Sequence, residues 1–280
     1  MTKGYNLLKG TVSHLQVMDE PKELRSDDIG LLAIIGLMIV GVVGELLGAL
    51  IDGNISLEGK SYQCYVGRKK VKGKLSHVDF KNGDDVEMIV KPIDNDQYQF
   101  YAVRIPKYHA LYFPHALGIT TLPLLKSWSI IIGFFSLFIL LVLLIITIGN
   151  DTFRQQYQDY IVGCFIMFIC LTILFFFLTG GRYTFISNRI FATLGYPRPW
   201  LHDILTEDKH FKRLNILGDP KLFDDPQTPE FEQIKELDPN ANYYCRTPTL
   251  PDWVTVIDER GFMPQITEPQ ETPNQEQSND

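Results

Sequence analysis

Long unbroken apolar runs alternate along this chain with short runs in which every second residue is apolar. Trp128–Ile148 (WSIIIGFFSLFILLVLLIITI) and Tyr160–Leu178 (YIVGCFIMFICLTILFFFL) contain no charged residue. A helix needs about 20 apolar residues to cross roughly 30 Å of hydrocarbon. Both runs meet that length, and each carries Trp or Tyr at one end, where interfacial anchors sit. Only the polar GNDTFRQQYQD separates them. So short a connection forces the helices antiparallel, which predicts a transmembrane hairpin over 127–179.

A third apolar block, Ile29–Ile51, differs in kind. It repeats glycine at Gly30, Gly36, Gly41, Gly44 and Gly48. Gly44 and Gly48 form a GxxxG pair with Gly41 on nearly the same face, a spacing that lets helix backbones approach closely in lipid. Glu45 is the one ionisable residue in the three blocks, and such residues are costly in a membrane. Two readings stand side by side. In one, Gly41, Gly44, Glu45 and Gly48 make a packing seam in a homo-oligomer. In the other, the block is a plain anchor whose Glu45 reaches the headgroups.

The alternating runs predict strands. Leu7–Met18 forms one in the N-terminal segment 1–28. Ser61–Gly67, Lys69–Leu75, Asp85–Ile93, Gln97–Ile105 and Ala110–Phe113 form others between 55 and 115, with Asn82-Gly83 as a turn signal. Several short strands of this kind predict a small antiparallel barrel, OB-like or SH3-like. An open sheet against the membrane is the alternative. If Leu7–Met18 pairs with this domain, the glycine-rich block cannot cross once. It must then dip and return, or lie on the surface.

After the hairpin, IFATLGYPRPW (residues 190–200) predicts a short amphipathic helix ended by Gly195 and Pro197, inside an interfacial segment 183–205. Residues 206–280 are rich in Pro, Asp and Glu and predict a largely disordered tail, within which Tyr243–Tyr244 and Trp253–Ile257 could form a short ordered stretch.

Charge adds orientation. The turn between the two spans has one basic residue, Arg154, whereas residues 52–126 carry eleven, and Arg182, Arg189 and Arg198 follow the second span. By the positive-inside rule, the β domain and the C-terminus are cytoplasmic. The expected fold class is thus an integral membrane α-helical protein with a small β-barrel-like cytoplasmic domain. A net charge of −7 argues against a dedicated nucleic-acid binder. The cluster Arg68, Lys70, Lys72 and Lys74 (RKKVKGK) could contact anionic lipid at about 1 kcal/mol per basic residue, or be a solvated strand face.

Candidate chemistry is sparse. Six histidines and four cysteines are scattered, with no C-x-x-C, H-E-x-x-H, P-loop, G-x-S-x-G or G-x-G-x-x-G. No cofactor, no metal site and no enzymatic activity are expected. His109 and His115 read as local packing or interfacial anchoring.

Three segments carry a resemblance: LKGTVSHLQV, KGKLSHVDFKNGDDVEMIV followed by YQFYAVRIPKYHALYFPH, and IFATLGYPRPW. Over roughly residues 5–205 the layout resembles a family of bacterial membrane proteins labelled type VI secretion system effectors. The resemblance implies an inner-membrane effector or accessory that acts at the bilayer without enzymatic chemistry. It supplies no catalytic residues. An immunity or scaffold protein holding a cognate partner through its β domain is the alternative, and a membrane-tethered lipid- or nucleic-acid-binding module is the second.

Overall fold

The computed structural model describes residues 4–18, 59–94, 97–115, 117–147, 153–229 and 231–262. The glycine-rich block with Gly41, Gly44, Glu45 and Gly48 lies outside the described residues, as does 263–280.

Five strands close into a barrel: β1 (Asn6–Met18), β2 (Lys60–Val66), β3 (Lys69–Leu75), β4 (Asp85–Asp94) and β5 (Gln97–Ile105). The order round the ring is β1-β2-β3-β5-β4, and β4 returns to β1. This is the OB-like arrangement rather than the SH3-like one. The expected antiparallel barrel has one parallel seam, β3 to β5, with Val71 opposite Tyr98 and Gly73 opposite Phe100. The period-two alternation explains the inside: Leu8, Val12, Tyr62, Cys64, Val71, Leu75, Met88 and Phe100 all point into one core. Gly73 permits the parallel seam, because a Cβ there would lie 2.6 Å from the Phe100 carbonyl oxygen and 2.8 Å from its ring.

β1 is 13 residues long, enough to pair with β4 through its first half and β2 through its second. Beyond β5, a 3-10 turn (Pro106–Tyr108) leads to β6 (Ala110–Tyr112), which extends the sheet past the barrel.

Two long helices follow, α1 (Thr121–Thr147) and α2 (Phe153–Leu178). Both are long and apolar enough to cross a membrane. Only 11% and 17% of their most apolar stretches are buried, whereas the core helix of a soluble protein would be mostly covered. Ser136 donates to the Cys164 carbonyl at 3.1 Å, and Trp128 Nε1 donates to Thr179 at 2.8 Å, so the pair is tied near its middle and its base.

Helix α3 (Gly181–Thr193) begins two residues after α2, at Gly180 with φ +96°. The expected interfacial helix is thus displaced towards the hairpin, and its apolar face has another role. Ile186, Ile190 and Phe191 pack on Leu7, Ile89, Tyr101, Ala102 and Leu111 from the outside of the barrel wall. A polar strip of α3 adjoins this apolar face. Asn188 and Thr184 hydrogen-bond Thr121 at 2.6 and 3.0 Å, and Ser187 accepts from the Gly118 amide. One helix therefore clamps barrel to hairpin.

The expected disordered tail is corrected over 204–262. Helix α4 (Ile204–Leu217) starts at Asp203, whose carboxylate accepts the amides of Leu205 and Thr206, and ends at Gly218 in the left-handed region. Next come α5 (Pro220–Phe223), β7 (Asn242–Tyr243) beside β6, and β8 (Val256–Asp258) parallel to β1. Phe211, Leu222, Phe231 and Tyr243 enter the core that begins inside the barrel. The composition hid this because the apolar anchors are single residues separated by polar linkers, with no period to detect.

Closure at the parallel seam gives a stability prediction. Gly73→Ala should destabilise the detergent-solubilised chain by about 1–3 kcal/mol through overpacking. Lys72→Ala, on the outward face of the same strand, should change it by less than about 0.5 kcal/mol. Thermal unfolding followed by circular dichroism compares the two.

Candidate functional site

Register places Lys9 opposite Glu87 and Glu87 opposite Arg104, so three charges form a row across the outside of β1, β4 and β5. This wall is not wet. Arg104 is only 2% exposed, lying 5.9 Å from the ring centroid of Tyr244. Its Nε donates to Glu87 at 2.6 Å and its Nη2 pairs with the same carboxylate. Lys9 reaches the other Glu87 oxygen at 2.7 Å. Burial works to raise the Glu87 pKa, but Arg104 and Lys9 more than offset it and hold the group below its usual range.

His109 sits at the β5–β6 corner with φ +49°, a left-handed conformation unusual outside glycine. It is fully buried, stacked between Phe231 at 4.0 Å and Tyr244 at 4.8 Å. Nδ1 faces the Tyr244 carbonyl at 3.2 Å and Nε2 faces the Thr228 hydroxyl at 2.6 Å. A neutral ring satisfies both: Nδ1–H donates to the carbonyl, and Nε2 accepts from the hydroxyl. Burial lowers the His109 pKa to about 4, partly opposed by Asp225, whose Oδ2 is 3.8 Å away. The Asp225 carboxylate is itself taken by the amides of Thr247 (2.7 Å) and Gln227 (3.0 Å). In this His–Thr–Asp group the imidazole is stacked between aromatic rings. Its geometry locks the C-terminal segment to the barrel.

A cleft of about 490 Å³ opens beside this lock. Lys9, Asp84, Asp85 and Glu87 line its barrel side, and Lys107, Thr228 and Arg260 line the other. Thr11 donates to Asp85 at 2.6 Å and Arg260 forks onto Asp258, so most of these charges are matched internally. Among the described residues, no group of three metal-ligating side chains occurs.

The basic cluster separates into two parts. Arg68 leaves the strand face: its Nε bonds Glu259 at 2.9 Å, and its guanidinium lies 3.9 Å from the Phe262 ring centroid. The sequence could not offer this partner, 191 residues away. Lys70, Lys72 and Lys74 remain on the outward face of β3, since Val71 and Leu75 point into the core. Gln63 and Tyr65 of β2 and Gln97 and Gln99 of β5 sit beside them in register. In the ring, β2 and β3 are the two strands that do not neighbour β4, whose outer side α3 covers. The lysine face is therefore turned away from the clamp to the hairpin. Strands 2 and 3 also form the face that OB folds use for ligands.

No family model, curated protein or solved structure matches this chain. The assignment of function therefore rests on the geometry.

Two measurements probe the buried groups. Glu87→Gln should cost about 3–5 kcal/mol, because it strands the Arg104 charge. Combining it with Arg104→Met should recover part of that loss in thermal unfolding. For His109, the folded pKa is depressed, so between pH 6.5 and about 4 the unfolded chain binds a proton that the folded chain refuses. Stability should fall as pH drops through that window, by on the order of 3 kcal/mol, and His109→Gln should flatten the slope.

Proposed function

We propose that this chain is a membrane-anchored docking module of the bacterial inner membrane. The hairpin α1–α2 crosses the bilayer, and the OB-like barrel with its C-terminal wrap stands on the cytoplasmic side. The outward β2–β3 face, with Gln63, Tyr65, Lys70 and Lys72, receives an acidic partner protein. No catalytic chemistry is involved.

The observation that carries this reading is the clamp formed by α3. One outer wall of the barrel is fixed to two bare apolar helices, and the face turned away from that wall is polar and basic. Such an arrangement holds a binding surface at a set orientation above a membrane. The many Lys and Arg residues on the barrel side, against a single Arg154 in the connection, support the orientation.

A place in a type VI secretion setting, as effector or as immunity protein, rests on the segment resemblance alone. An effector would collapse the membrane potential on expression, whereas a docking module would leave it intact.

Single-cysteine variants on a background without native cysteines test the anchor and its orientation. Asp151→Cys should react with an impermeant maleimide on intact spheroplasts. Lys72→Cys should react only after permeabilisation. Reaction of Lys72→Cys in intact spheroplasts would overturn the orientation, and release of the chain by carbonate washing would overturn the anchor.

A further inference from the structure

We propose that the base of the hairpin makes a second contact with the bilayer, lying on the anionic headgroups of the leaflet that the barrel faces. Phe185, Trp200 and Leu201 form its apolar part, and Lys126, Arg189 and Arg198 its charged part. The proposal rests on the reading that α1 and α2 cross that bilayer.

Depth is the first argument. Trp128 stacks on Phe175 and hydrogen-bonds Thr179, at the level where the uncharged part of the hairpin begins. Leu122 lies six residues earlier on the same helix, about 9 Å back along the axis at roughly 1.5 Å per residue. The Leu122 amide donates to the Trp200 carbonyl at 3.0 Å. The loop carrying Trp200 is thus held where the headgroup layer, roughly 5–7 Å thick on each side, meets water.

Preorganisation is the second. The loop after α3 is pinned at both ends. Gly195, at φ +95°, presses so closely on Thr249 that a Cβ would lie 2.2 Å from its carbonyl oxygen. Thr120 donates to the His202 carbonyl at 2.6 Å. Between these points Pro197 and Pro199 stiffen the chain. Even so, Trp200 is 52% exposed and Leu201 40%. Phe185, one turn into α3, is 48% exposed on the side that neither barrel nor α1 covers. A soluble surface gains nothing from a fixed, bare tryptophan, whereas a headgroup layer is where amphipathic rings are most favourable.

Charge is the third. Lys126, Arg189 and Arg198 are all exposed around this patch. The acids nearby are committed within the protein. Asp203 caps α4, and Glu207 receives bonds from Tyr196 and the Cys245 amide, with His202 Nε2 3.1 Å from its carboxylate. The three cations outnumber these two carboxylates, which suits an anionic leaflet at about 1 kcal/mol per basic residue. This site replaces the β3 lysines as the lipid contact, since those face away from the clamp.

Tryptophan quenching tests the proposal on the full chain reconstituted in phosphatidylglycerol vesicles that carry lipids brominated near the headgroup. One variant keeps Trp128 alone (Trp200→Phe and Trp253→Phe), and another keeps Trp200 alone (Trp128→Phe and Trp253→Phe). Both reporters should be quenched. Replacing phosphatidylglycerol by phosphatidylcholine, or adding Arg189→Glu and Arg198→Glu, should weaken quenching of Trp200 by at least about twofold and leave Trp128 unchanged. A quenched Trp128 with an unquenched Trp200 overturns this contact and spares the hairpin. An unquenched Trp128 overturns the spanning reading, and the contact falls with it. Quenching of Trp200 that ignores both lipid charge and the arginines overturns the headgroup assignment.

Discussion

The guanidinium of Arg104 is the constraint on which the other parts depend. A charge this deeply buried is tolerable only when a fixed, hydrogen-bonded opposite charge offsets its loss of water. Glu87 supplies the opposite charge, Lys9 balances the remaining carboxylate oxygen, and Tyr244 covers the group from the C-terminal segment. Barrel and wrap must therefore fold as one unit. The barrel wall at β1, β4 and β5 has two buried sides, one facing its own core and one facing α3 and Tyr244. His109 adds a second lock to the same seam, because Thr228 and the Tyr244 carbonyl hold opposite edges of a ring that stays neutral.

The two long apolar helices inherit this rigidity through α3. Its apolar side belongs to the barrel and its hydroxyl and amide side belongs to the first turn of α1. A flexible linker would let the barrel tumble above its anchor. Here two directional polar contacts and an apolar face fix the angle between them. That is why a binding face on β2–β3 can have a set orientation, and why a loop tied to α1 can sit at a set depth.

Much of this was legible in the sequence, and the failures have physical causes. The two long helices were readable because each is built on an unbroken run of about 20 apolar residues. The strands were readable because alternation reports two unlike faces. The parallel β3–β5 seam was not, because ring closure depends on where β5 lands after two hairpins and Gly73 gives no sign of its distant neighbour. Within 206–262 order was readable only at Tyr243–Tyr244 and Trp253–Ile257, because Phe211, Leu222 and Phe231 each work alone and composition averaged them away. Arg68 looked like one of four equivalent cations, yet one long-range carboxylate removed it from the group. His109 and His115 were read as local packing or interfacial anchoring, and His109 packs between Phe231 and Tyr244.

The pairing of β1 with β2 bears on the topology that the sequence left open. Met18 and Ser61 are register partners on adjacent antiparallel strands. The chain leaves the barrel after residue 18 and rejoins it at the same end. Hydrogen-bonded strands cannot lie on opposite sides of a bilayer, so an odd number of crossings between those two residues is excluded.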